Sequence, residues 1–144
     1  MKNYTTRYFC RKFGACTAGM RFALKFKTMR ECYAALLAGE AGDKSAEWAI
    51  WTVRRDGVMS DRDLRLFAVK CARRVQHLMK DQRSIDALDV AERYAKGEAT
   101  DEELAAARDA ADYADYAAAD AADAAERREQ LKILAEFGNP FWED

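Results

Sequence analysis

The sequence predicts an all-α fold: one helical domain over residues 1–144, a bundle of about six helices whose last member is long, alanine-rich and acidic. Three observations predict it. Turn chemistry is sparse, with one Pro and seven Gly in 144 residues. Thr28-Met29-Arg30-Glu31, Ser60-Asp61-Arg62-Asp63 and Thr100-Asp101-Glu102-Glu103 each place a hydroxyl three residues before a carboxylate, the pattern of a helix N-terminal capping box. Finally, residues 100–137 run without Gly or Pro until Gly138 and Pro140. The chain is 50% hydrophobic and 34% charged, enough for a real core.

The elements follow in order. Residues 1–14 are aromatic and basic, with Tyr4, Tyr8, Phe9 and Phe13 among Lys2, Arg7, Arg11 and Lys12. They read as a short helix or an extended arm, and Tyr4 to Phe9 is a weak strand candidate without an evident partner. Ala15 to Phe26 is expected to be a short helix with Met20, Phe22, Leu24 and Phe26 near its apolar side. Thr28 opens a helix to Leu37, with Met29, Tyr33, Leu36 and Leu37 on one stripe and Gly39 as the stop. Gly42-Asp43-Lys44-Ser45 is a turn, and Ser45 is expected to cap a helix holding Trp48, Ile50, Trp51 and Val53. That helix is apolar nearly all round, so a central place is expected for it.

After Asp56-Gly57, the second capping box opens a helix to about Lys80. Leu64, Phe67, Ala68, Cys71, Val75, Leu78 and Met79 follow spacings of three and four, and Arg62, Arg65, Lys70, Arg73 and Arg74 lie on the other face. A further helix spans about Arg83 to Lys96 with Ile85, Leu88, Ala91 and Tyr94 inward, and Gly97 stops it. The last helix, at about 1.5 Å per residue, would be a rod of roughly 55 Å. Gly138-Asn139-Pro140 closes it, and Phe141 and Trp142 are expected to fold back onto the core.

The rod has two faces. At 100° per residue, Asp109, Asp112, Asp115, Tyr116, Asp120, Asp123 and Glu126 share an arc of roughly 140°. Ala106, Ala107, Ala110, Ala114, Ala117, Ala118, Ala121, Ala124 and Ala125 fill the opposite arc, which is expected to turn inward. Large apolar residues, Leu131, Ile133, Leu134 and Phe137, come only at the C-terminal end.

Net charge is −1, but it is unevenly spread. Met1 to Lys80 holds 17 Lys and Arg against 7 Asp and Glu, a net of +10; Glu98 to Glu126 holds one Arg against 10 acidic residues, a net of −9. Such a row is a solvated face compensated by the chain's own arginines such as Arg65, Arg73 and Arg74, or a contact surface for a basic protein; ion binding is a third reading, disfavoured because Ca²⁺ sites need convergent loop oxygens rather than a straight row. Carboxylates one turn apart can occupy a site meant for phosphates, and Tyr113 and Tyr116 would serve as anchors. The candidate partner-binding residues are Asp109, Asp112, Tyr113, Asp115, Tyr116, Asp120, Asp123 and Glu126.

No enzyme chemistry is expected. The sequence has no phosphate-binding Gly loop, HExxH or GxSxG. Ser45, Ser60 and Ser84 stand at helix starts or turns, where capping is the ordinary use. His77 is the only histidine and reads as a surface residue; Cys10, Cys16, Cys32 and Cys71 read as reduced thiols packed as small hydrophobes, so no metal or cofactor is expected. No apolar run approaches the about 18 residues of a membrane span, and the basic N-terminus is not followed by a secretory apolar region. The expectation is a cytoplasmic protein.

Cys71-Ala72-Arg73-Arg74-Val75, then Ala87-Leu88-Asp89-Val90-Ala91-Glu92-Arg93-Tyr94-Ala95-Lys96-Gly97-Glu98-Ala99-Thr100 and the alanine tract, resemble a family of small bacterial and phage proteins labelled immunity proteins of polymorphic toxin systems. Gly14-Ala15-Cys16 and Trp48 to Trp51 look like the upstream part of the same pattern. Gln82-Arg83-Ser84 stands where a proline is common in that family, and the tract here is richer in Asp. The resemblance implies an all-helical, non-enzymatic protein that binds another protein, either a toxin or a host defence nuclease complex. A nucleic-acid-binding module using the basic half is the alternative from another class, and self-assembly, as in a homodimer pairing Ala faces, is a third.

Overall fold

A computed structural model describes residues 2–112 and 124–142, with side chains described for 2–108 and 126–142. The described chain is all-helical, with eight α-helices and two short 3-10 turns. The chain contacts sort it into two units, Met1–Ser60 with Ala124–Asp144, and Asp61–Asp123.

The first unit opens with α1, Thr6–Phe13. Thr5 caps it by accepting from the Tyr8 amide at 3.3 Å, so the segment read as a short helix or an arm is helical over Thr6–Phe13. What extended character there is stops at Thr5, which bridges antiparallel to Thr28. Helix α2, Thr17–Ala23, is shorter than expected because Cys16 is its cap, its thiol accepting from the Gly19 amide. Leu24 falls at the C-cap, off the apolar stripe, and is 46% exposed.

Helix α3, Met29–Leu37, starts at the full capping box: Thr28 Oγ1 accepts from Glu31 N, and Glu31 accepts from Thr28 N. Met29, Tyr33 and Leu36 are buried as the spacing predicts. Gly39 (φ 79°) reverses the chain so that the Glu40 amide reaches the Ala35 carbonyl, which closes the helix.

Helix α4, Ser45–Val53, packs against both α3 and α8, Ala124–Ala135. Its central position agrees with its all-round apolar pattern, since Ala46, Ala49, Thr52 and Val53 are buried. Ser45 does not cap it. Lys44 occupies the cap position, and the Ser45 hydroxyl, 1% exposed, turns back to accept from Ala41 N at 3.0 Å. The preceding 3-10 turn, Gly42–Lys44, needs that tie because it has no side-chain cap of its own.

Leu131, Ile133 and Leu134 of α8 enter this core, as does Phe141 at 0% exposure. Trp142 does not fold inward; it is 54% exposed and its backbone bridges to Lys2.

The Tyr33 hydroxyl is the one buried side-chain polar atom without a hydrogen-bond partner among the described residues. An unpaired buried hydroxyl costs about 1–3 kcal/mol. Tyr33→Phe is therefore expected to raise stability by about 1 kcal/mol, read as a higher urea midpoint at unchanged slope. A lower midpoint would show that the hydroxyl has a partner in solution.

In the second unit α6, Gln82–Ala95, packs against α5, Asp61–Arg74, and α7, Asp101–Asp112. Helix α5 ends six residues short of the expected Lys80. The Val75 amide bonds to Ala72 and a 3-10 turn, Gln76–Leu78, follows. Leu78 consequently leaves the apolar stripe and is 60% exposed, while His77 is on the surface. Asp81, not Ser84, caps α6 by accepting from Arg83 N. Glu98 N reaches the Arg93 carbonyl across Gly97 (φ 79°), the expected stop.

The stretch expected to form one long last helix holds α7 and α8; residues 113–123 between them lie outside the described residues. Within α7, Leu104 is the buried residue; Ala107 is half-buried, and Ala106, expected to face inward, is exposed.

Candidate interaction surface

The acidic stretch begins where α6 hands over to α7. Thr100 and Glu103 form the reciprocal box, Glu103 N donating to Thr100 Oγ1 at 3.1 Å and Thr100 N to Glu103 Oε1 at 3.4 Å. Asp101, Glu102 and Glu103 thus sit in the first turn of α7, where the helix dipole favours negative charge. Arg93 reaches Glu103 at 3.2 Å, and the Tyr94 hydroxyl donates to Asp101. That bond, with the Asp101 charge beside it, holds the Tyr94 phenol above its usual value.

Two of the three arginines expected to answer the acidic row, Arg65 and Arg73, have partners on α6. Arg73 forks onto Asp89 at 2.6 Å and Glu92 at 3.2 Å, both on α6, and its guanidinium is held above its usual value by the Asp89 hydrogen bond first. Arg65 lies 4.8 Å from the Tyr94 ring centroid, a cation–π contact. Asp81 pairs with Arg83 at 2.7 Å, which draws its carboxyl down to about 2. The sequence spacing puts Arg65 and Arg73 opposite the apolar stripe of α5, yet both are half-buried, because Tyr94, Asp89 and Glu92 of α6 meet them there.

Of the candidate contact residues, Asp109 and Asp112 lie in the last turn of α7, and their side chains are not described. Tyr113, Asp115, Tyr116, Asp120 and Asp123 lie outside the described residues. Glu126 stands in the first turn of α8, half-buried, and belongs to the other unit.

The first unit carries a surface of opposite sign. Residues 1–30 contain eight Lys and Arg and no Asp or Glu, and all eight are exposed. On α1 the ammonium of Lys12 lies over Tyr4 and Tyr8, whose rings are 5.1 Å apart. Backbone bonds Thr6 N to Lys27 O and Met29 N to Tyr4 O bring the Lys27 and Arg30 segment beside this helix.

The cysteines are all free, but they do not share one environment. Cys10 and Cys32 are buried as expected, Cys71 is half-buried, and Cys16 is exposed, because its thiol is spent as a helix cap. Among the described residues no group of three His, Cys, Asp or Glu is placed to hold a metal ion, and no helix is long and apolar enough to cross a membrane. The fold and these surfaces define an all-helical protein with segregated charge. Comparison with protein-family models, with curated proteins and with solved structures finds no match for the chain.

Proposed function

We propose that the chain is a non-enzymatic binding protein that captures a basic protein partner in a stoichiometric complex, the partner being a toxin or a nucleic-acid-handling defence complex. The observation that carries this reading is the commitment of Arg73 to Asp89 and Glu92. Arg73, one of the three arginines expected to neutralise the acidic row, is used within the α5–α6 pair. From Asp109 to Asp123 the sequence offers five Asp and no Lys or Arg of its own. A row of that kind accelerates docking of a cationic surface and would compete with phosphates for it. The resemblance of Cys71 to Ala125 to immunity-type proteins points the same way.

The test is affinity capture from a bacterial host lysate by the wild-type chain and by Asp112→Lys, Asp115→Lys, Asp120→Lys together, with stoichiometry measured on the isolated complex. The wild type is expected to hold one partner that the triple variant loses and that salt releases. Equal capture by both would remove the acidic row as the interface.

A second reading is favoured by the eight exposed cations and the paired Tyr4 and Tyr8 rings of residues 1–30: a nucleic-acid-binding module. Its discriminator is an electrophoretic shift with random duplex and single strands. No shift at about 10 µM protein and low salt would end it, since non-specific binders reach that range.

A further inference from the structure

A pocket of about 290 Å³ opens inside the first unit, between α1, α2, α3 and α4. It is open to solvent and its lining is mostly apolar, the character of small-molecule sites. Small residues leave part of this space open. The chain turns at Gly14 (φ 68°), and α2 presents Gly19 and Ala23. A Cβ on Gly19 would stand 3.3 Å from Cys16 Sγ and 3.8 Å from the Trp48 ring, so any larger residue there intrudes on the pocket. Gly14-Ala15-Cys16 and Trp48 to Trp51, the upstream motif that the binding reading does not use, both contribute to the lining.

The rest of the lining is largely aromatic, with Phe22 from α2 itself, Phe9 from α1, and Trp48 and Trp51 from α4. Phe22 and Trp48 have centroids 5.6 Å apart at 45°, and Phe9 meets Trp51 edge-on at 6.3 Å. The thiols of Cys10, Cys16 and Cys32 complete the lining. They are not placed to close on a metal ion, and sulfur makes favourable contacts with aromatic ring edges. The polar groups are already engaged: Thr52 Oγ1 donates to Trp48 O at 2.8 Å, and the carboxylate of Glu47 pairs with Lys44 at 2.9 Å. No Lys or Arg lines the pocket, so an anionic ligand would find no counter-charge, and a cation would have to compete with Lys44 for Glu47. The volume sits at the lower end of small-molecule sites, which begin near about 300 Å³.

We propose that this pocket binds an uncharged, flat aromatic small molecule of one or two rings, edged by the three thiols.

The probe is prodan, an uncharged two-ring naphthalene fluorophore, titrated into the full chain and read by energy transfer from tryptophan. Saturable binding of one probe per chain is expected. It should persist in Trp142→Phe, whose tryptophan is outside the pocket, and weaken by about tenfold or more in Gly19→Met. Bound prodan should also slow alkylation of Cys16 by iodoacetamide, followed by peptide mass mapping, and leave Cys71 unaffected. No saturable signal, unchanged affinity in a folded Gly19→Met, or an unchanged Cys16 rate would each overturn the proposal. Should Gly19→Met fail to fold, protection of Cys16 in the wild type decides alone.

Discussion

Phe141→Ala is expected to cost about 3–5 kcal/mol of unfolding free energy, although the residue lies near the end of the chain. Phe141 is 0% exposed. Its ring meets Phe9 at 5.6 Å and Tyr33 at 6.0 Å, both edge-on, the geometry aromatic pairs prefer. Those partners come from α1 and α3, so the ring closes the first unit from its C-terminal side. The backbone is held as tightly. Arg30 Nη1 donates to the Phe141 carbonyl at 2.8 Å. Asn139 accepts from the Phe141 amide at 3.0 Å and donates to the Arg30 carbonyl at 2.9 Å. This clamp keeps the backbone in place after truncation, so the cavity cannot collapse and the penalty falls in the upper part of the large-to-small range. Chemical denaturation of wild type and variant measures it. A loss under about 1 kcal/mol, the typical value for a point substitution, would mean that the tail is not docked. Asn139→Ala, which removes the clamp and leaves the ring, should lose less.

What the sequence made legible is what four or five adjacent residues decide. Thr28 with Glu31, and Thr100 with Glu103, contain their whole capping chemistry, and both boxes form. Gly39 and Gly97 stop helices by their own backbone freedom. The buried end of α8 followed from Leu131, Ile133 and Leu134 at helical spacing. The misses have a different origin. Ser45 is a good cap by type, but the amide of Ala41 competes for its hydroxyl, and only the folded turn brings that amide near. The stop of α5 at Arg74 lacks any Gly or Pro, so periodicity ran on to Leu78 and predicted burial for an exposed residue. Arg73 finds its acids on a neighbouring helix 16 and 19 residues away. The pocket is hardest to foresee because its signal is missing side chains at Gly14 and Gly19, set against aromatics that arrive from α4.

Alkaline pH is expected to destabilise the fold through its buried thiols, in a window that begins at pH 9. Burial raises the Cys32 thiol from 9.0 to about 12, and the nearby Cys10 thiol adds to the rise. Cys10 itself is raised, by burial first and then by Cys16. Below pH 9 these thiols are protonated in both folded and unfolded chains, so their contribution to stability is fully present. Above pH 9 the unfolded chain releases protons that the folded chain still holds. Stability then falls as pH rises toward 12, by about 4 kcal/mol for Cys32 if the whole interval is crossed. Tyr33 is also held above its usual 10.0 by burial, so the slope steepens once the unfolded phenol begins to ionise. Thermal unfolding followed from neutral to alkaline pH should show a flat region and then a steady decline. Cys32→Ala should begin from a slightly lower plateau and decline less steeply, because the largest of the buried thiol contributions is gone. Parallel curves for the two proteins would remove Cys32 as the source. The same burial predicts the order of alkylation, with the exposed Cys16 reacting ahead of Cys10 and Cys32, since only a thiolate that can reach solvent attacks the reagent.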